Sequence, residues 1–133
     1  MMRVLLKSKL HRVKVTETEL HYEGSCAVDA DLLEAADLCE YERVEIYNVN
    51  NGQRFSTYIV VAPRGSRMVR LMGAAARLAS PGDHLIVAAY ASFDATEAKN
   101  FEPHIVLVDE ENRIMPSKAK RARLARGARR GRS

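Results

Sequence analysis

Gly24 and Ser25 sit in the run His21-Tyr22-Glu23-Gly24-Ser25-Cys26, and a Gly-Ser bond is one that a chain can cut by itself. The serine hydroxyl attacks the preceding carbonyl and turns the amide into an ester. Elimination from the ester leaves dehydroalanine, whose hydrolysis releases ammonia and leaves a ketone on the new chain end. That pyruvoyl group is an electrophile no ordinary side chain supplies, and it can form a Schiff base with an amine. Glycine before the serine puts nothing in the path of attack and tolerates strained dihedrals. A Gly-Ser pair alone is usually a turn, so its company matters. Arg54 and Tyr58 are four residues apart on an expected strand and share a face. The arginine can fork onto a carboxylate and the tyrosine can give up a proton. Thr57 points the other way in a regular strand and serves the same site only if the strand bulges or meets another subunit. Lys9 and His11 share a face near the start of the chain.

Other chemistries fit less well. Cys26 reads as a buried structural thiol, since nothing around it lowers its pKa. His11, His21, His84 and His104 have no metal-ligand spacing, and Cys26 and Cys39 form no CxxC pair, so a zinc site is not expected. Gly73-Ala74-Ala75-Ala76 is either a place where a ligand approaches backbone N–H groups or a helix start. There is no phosphate-cradling or dinucleotide fingerprint.

The elements that must position these residues are mostly strands. Val4 to Lys7 and Leu10 to Thr16 alternate with period two, which predicts Lys9, His11 and Val13 on one face and Leu10, Arg12 and Lys14 on the other. Asp29 or Asp31 can cap a short helix carrying Leu32, Leu33, Ala35, Ala36 and Leu38. Arg43 to Val49 and Arg54 to Val61 flank Asn50-Asn51-Gly52, a strong hairpin signal. Pro63-Arg64-Gly65 and Ser80-Pro81-Gly82-Asp83 are turns, Leu85 to Ala91 a central strand, Thr96 to Asn100 one helical turn, and His104 to Val108 a last strand before the Asp109 to Asn112 turn. Many short strands in one small domain favour a closed barrel, because closure removes edges.

The chain has 133 residues, enough for one domain with a modest core, expected over residues 1–116. Its net charge of +4 is unevenly spread. Residues 117–133 hold eight Lys or Arg and no acid; the rest holds thirteen bases against all seventeen acids, a net −4. The tail is expected to be disordered, with nucleic-acid contact its one alternative use. No apolar signal core or membrane-length run is present, and two cysteines make no disulfide framework, so the expected setting is the cytoplasm.

Taken in order, three segments carry a resemblance: Lys9-Leu10-His11-Arg12-Val13-Lys14-Val15-Thr16, Leu20-His21-Tyr22-Glu23-Gly24-Ser25-Cys26 and Asn51-Gly52-Gln53-Arg54-Phe55-Ser56-Thr57-Tyr58. Arg64-Gly65-Ser66-Arg67 and Gly73-Ala74-Ala75-Ala76 follow. Together they resemble the pyruvoyl-dependent L-aspartate α-decarboxylases of pantothenate biosynthesis, over residues 1 to about 110.

The resemblance implies a mainly β fold, a double-psi β-barrel with short helices, assembled as a homotetramer with sites between subunits. It implies cleavage between Gly24 and Ser25 into a β chain 1–24 and an α chain 25–133 that begins with the pyruvoyl group formed from Ser25. L-Aspartate would lose its α-carboxylate to give β-alanine and carbon dioxide. Tyr58 would be the proton donor; Thr57 would assist self-cleavage and contact substrate; Lys9, Arg54 and the Gly73, Ala74 and Ala75 backbone would bind substrate. One position departs from the pattern: Met72 stands where the family commonly has Asn, a thioether in place of a hydrogen-bonding amide. The alternatives are a non-enzymatic barrel that binds nucleic acid through the tail, and an unprocessed family member.

Overall fold

The computed structural model describes residues 1–116; the basic tail 117–133 lies outside the described residues. Among the described residues there are eight strands: β1 (Arg3–Lys14), β2 (Glu17–Glu19), β3 (Ser25–Asp29), β4 (Arg43–Asn48), β5 (Arg54–Ala62), β6 (Val69–Met72), β7 (His84–Phe93) and β8 (His104–Leu107). Helices α1 (Ala30–Ala36) and α2 (Ala95–Asn100) and a 3-10 helix, Gly73–Leu78, complete the described elements. The strands pair in the order β2-β6-β3-β5-β4-β7-β1-β8. Three of these pairings are parallel, β1 with β8, β2 with β6 and β3 with β5, and the rest are antiparallel. This is the mainly β architecture with short helices expected from the sequence. The ladder ends at β2 and β8, so closure is not completed by pairing between those two strands.

Local chemistry accounts for the elements that position the site. Asp29 caps α1 by accepting from the Asp31 N–H at 2.8 Å, and it also accepts from the N–H groups of Gly65 and Arg67, at 3.1 and 2.7 Å. One buried carboxylate therefore ties the helix start to the 63–67 turn. The Asn-Gly hairpin forms as expected, with Tyr47 opposite Arg54, and Gly52 supplies the left-handed φ of 78°. Asp94 and Glu97 form a reciprocal capping box on α2. The core joins Leu10, Val13, Cys26, Val28, Leu32, Val44, Ile46, Ile59, Leu71, Leu85 and Val87 among others, drawn from both ends of the strand order.

The face assignment of β1 needs correction. Lys9 and His11 do lie on one partly exposed face, opposite buried Ser8 and Leu10. Val13, expected beside Lys9 and His11, is fully buried with Leu10 instead. The cause is a bulge: Arg12 adopts φ 66°, and the β1–β7 register shifts between His11 and Val13. One extra residue reverses the alternation beyond it. Among the described residues, no helix is long and apolar enough to cross a membrane.

Candidate active site

Ser25 opens β3 and is buried at 2% relative exposure. Across the antiparallel β3–β6 pair it faces Met72. On its other side β3 runs parallel to β5, and the first registered pair is Cys26 with Ile59. Ser25 and Tyr58 each sit one residue before that pair, at the same level of neighbouring strands. Below this level β5 has lost its β3 partner, and a cleft of about 400 Å³ opens there. Gly24, Phe55, Ser56, Thr57, Tyr58, Ala74, Ala75 and Leu78 line it.

Thr57 reaches the same cleft without a bulge. The β4–β5 pairing runs without a shift from Arg43–Tyr58 to Tyr47–Arg54, so β5 does not bulge. Thr57 is half-buried and Tyr58 exposed, on opposite faces. Both still border the cleft, because it opens over an unpaired strand edge rather than over one face of the sheet.

Among the described residues the glycines with left-handed φ are Gly52, Gly65, Gly73 and Gly82; Gly24 is not one of them. Gly73 has φ 71°, and a Cβ there would come within 2.6 Å of the Gly24 Cα, 2.8 Å of the Gly24 N and 2.9 Å of the Tyr22 O. Only a glycine permits this approach of two backbones. At Gly24 an added Cβ would meet nothing nearer than the Met72 O at 3.8 Å. Conformational freedom is thus required across from the Gly24-Ser25 bond rather than within it. The Gly73-Ala74-Ala75-Ala76 run starts the 3-10 helix and carries Ala74 and Ala75 to the cleft.

Cys26, next to Ser25, is fully buried, and burial pushes its thiol up to about 12. It stays protonated near neutral pH and does not compete with the Ser25 hydroxyl for the Gly24 carbonyl.

Lys9 and Arg54 are not in the cleft lining. Arg54 is exposed, with its guanidinium carbon 4.1 Å from the centroid of the Tyr47 ring. The Tyr47 and Tyr90 hydroxyls share a hydrogen bond at 3.1 Å, and this bond is the first cause raising the Tyr90 phenol above its ordinary pKa, followed by burial. Lys9 pairs with Ala88 of β7 and Ile105 of β8. The registers nevertheless place both cations on one outward face. His11, Ile86, Tyr47 and Arg54 form one cross-strand row; Lys9, Ala88, Glu45 and Ser56 form the next. Three strand spacings, roughly 14 Å across the sheet, and one two-residue step along the strands separate Lys9 from Arg54. Sequence reasoning missed Phe55, Ser56 and Leu78 in the cleft and Tyr47 and Tyr90 beside Arg54. The i, i+2 pattern of β5 could have pointed to Ser56.

Residues 1–115 match the sequence model of a family described as aspartate decarboxylase. The chain belongs to that family. A relative from Laribacter hongkongensis named aspartate 1-decarboxylase is 60% identical over 115 residues, 86% of this chain and 91% of the relative. Another of that name, from Methylobacillus flagellatus, is 60% identical over 114 residues, covering 86% and 90%. A third, from Ralstonia nicotianae, is 55% identical over 119 residues, 90% of this chain and 99% of its own length. For this family the pyruvoyl group fits the residues present. Ser25 is buried at a strand start, its preceding glycine borders an open cleft, and a hydroxyl and a phenol line the same wall.

Proposed function

We propose that this chain cleaves itself between Gly24 and Ser25 and then decarboxylates L-aspartate to β-alanine, supplying pantothenate and coenzyme A synthesis in the cytoplasm. The observation that carries the reading is the place of buried Ser25 directly after Gly24, which borders a cleft with Thr57, Tyr58, Ala74 and Ala75. The precursor is one barrel domain, residues 1–116, followed by the tail; cleavage divides it into chains 1–24 and 25–133.

Self-cleavage uses the chain's own groups. The Gly73 backbone holds Gly24 in place by direct apposition. The Ser25 hydroxyl attacks the Gly24 carbonyl, and the Thr57 hydroxyl on the cleft wall stabilises the oxyanion that develops. A pyruvoyl group formed at Ser25 would supply a ketone able to take up the substrate amine and an electron sink for the pair released with carbon dioxide. Tyr58 Oη delivers a proton to the carbon from which the carboxylate has left. Ala74 and Ala75 let the substrate lie against their backbone. Lys9 and Arg54 hold substrate carboxylate, and fixing the side-chain carboxylate decides which one is lost. Both cations occupy an outward face rather than the cleft, which supports a second copy bringing that face to the cleft, as in a homotetramer with sites between subunits.

Intact mass under denaturing conditions tests the first step. Two fragments divided at Gly24/Ser25, the larger lighter by one ammonia than a serine-started chain, support the reading, and β-alanine release from L-aspartate completes it. A single uncut chain that stays uncut on warming overturns it.

A further inference from the structure

We propose that Tyr47 is the platform that fixes the Arg54 guanidinium, and that Tyr90 locks this platform, so that the pair sets how tightly a substrate carboxylate is held. The inference rests on the carboxylate-binding role given to Arg54 above. Its grounds are geometric. Arg54 and Tyr47 are directly opposite across β4 and β5, and the guanidinium lies over the ring at 4.1 Å. Among the described residues Arg54 forms no ion pair with a carboxylate. Stacking occupies one flat face of the guanidinium and leaves its N–H edges open, and those edges are what a carboxylate grips in a fork. The two interactions therefore use different parts of one group and do not compete.

The ring itself must be held if it is to orient anything. Tyr47 is half-buried on β4, and its hydroxyl reaches the Tyr90 hydroxyl at 3.1 Å. Tyr90 belongs to β7, the strand that pairs with β4 through Tyr47–Ile86. Three adjacent strands thus converge on one guanidinium. Neither tyrosine lines the cleft with Gly24, so their effect falls on substrate binding rather than on self-cleavage. Both are positioning residues acting through Arg54.

Steady-state kinetics on fully processed enzyme test this. Tyr47→Leu is expected to raise KM for L-aspartate by roughly three- to thirty-fold, the loss of a cation–aromatic contact. Its kcat stays within about two-fold, since the contact holds a binding group. Tyr47→Trp restores a flat platform and returns KM toward the parent value. Tyr90→Phe keeps the ring but frees Tyr47, raising KM about two- to five-fold, the size of one hydrogen bond. In an Arg54→Ala background, Tyr47→Leu adds nothing. If Arg54→Ala raises KM while Tyr47→Leu does not, the platform is refuted and the role of Arg54 survives. An unchanged KM in Arg54→Ala removes that role and the inference with it. A fall in kcat and thermal stability at constant KM in Tyr47→Leu shows a merely structural tyrosine and also overturns the inference.

Discussion

Replacing Gly73 with alanine should stop the chain from cutting itself at a useful rate while leaving most of the fold intact. Two costs arise at once. Alanine at φ 71° pays the left-handed penalty, about 1–2 kcal/mol. Its Cβ would also lie 2.6, 2.8 and 2.9 Å from three atoms, all of them backbone, so no side chain can swing aside. Crowding of this kind costs about 1–3 kcal/mol and is relieved by moving one segment away from the other. The segment that moves carries Gly24, whose carbonyl must stay within reach of the Ser25 hydroxyl. A displacement on the order of 1 Å costs about a hundred-fold in rate, so cleavage by Gly73→Ala should slow by roughly that factor. Gly52→Ala separates the two costs, because Gly52 has φ 78° but nothing within 4 Å of an added Cβ. It should lose only the conformational part of stability and cleave at the parent rate. The assay follows intact and split chains by denaturing mass after synthesis, with urea unfolding of both variants alongside. Cleavage of Gly73→Ala within about three-fold of the parent, or equal slowing of both variants, would refute the argument from backbone apposition.

Three further outcomes follow from the site and its surroundings. Tyr58→Phe should process normally yet lose about 10²- to 10⁴-fold in kcat, because the phenol moves a proton only during decarboxylation; a normal kcat excludes it as donor. With the Cys26 thiol pushed up to about 12 by burial and Cys39 exposed, a thiol reagent at pH 8 should label Cys39 in the native protein and Cys26 only after denaturation. Rapid native labelling of both thiols contradicts that. Asp83 is held below the ordinary carboxylate pKa, first by the Asn48 side-chain hydrogen bond and then by the Ser80 N–H. A depressed folded-state pKa means its stabilisation is present above the unfolded pKa and lost as pH falls through the folded value. Asp83→Asn should therefore lower stability at pH 7 and flatten its decline below about pH 4, read by urea unfolding; an unchanged acid slope argues against Asp83 as a contributor.

The strands carrying Arg54, Thr57 and Tyr58 were legible because a hairpin signal and period-two alternation act locally. The Asp29 cap was legible for the same reason. The bulge at Arg12 was not: nothing about an arginine in an alternating run announces a left-handed residue, and only the fit of β1 against β7 imposes it. Strand β3 was hidden for a different reason. All five of its residues are buried, so no alternation marks Ser25 to Asp29. Gly24, Thr57, Tyr58, Ala74 and Ala75, which the resemblance names, gather around one cleft, but the cause of that gathering, the unpaired edge of β5 beside the start of β3, depends on register between distant segments.

Met72 shows what register adds to a residue's type. From the sequence, a thioether in place of an amide suggested a lost hydrogen bond beside the cleavage point. In the fold the Met72 side chain is 4% exposed and packs with Ala27 and Ala62, against Val60 and Met68. It is not part of the cleft wall. Position 72 meets the site through its backbone as well: it pairs with Ser25, and its carbonyl is the atom nearest the open side of Gly24. A side chain buried in that apolar cluster gains from being unbranched and adaptable, and methionine fills such a gap without demanding a hydrogen bond. Met72 is therefore packed in that apolar cluster on the face it shares with its cross-strand partner Ser25, while the main-chain geometry that holds Gly24 and Ser25 rests on Gly73 and the β3–β6 ladder.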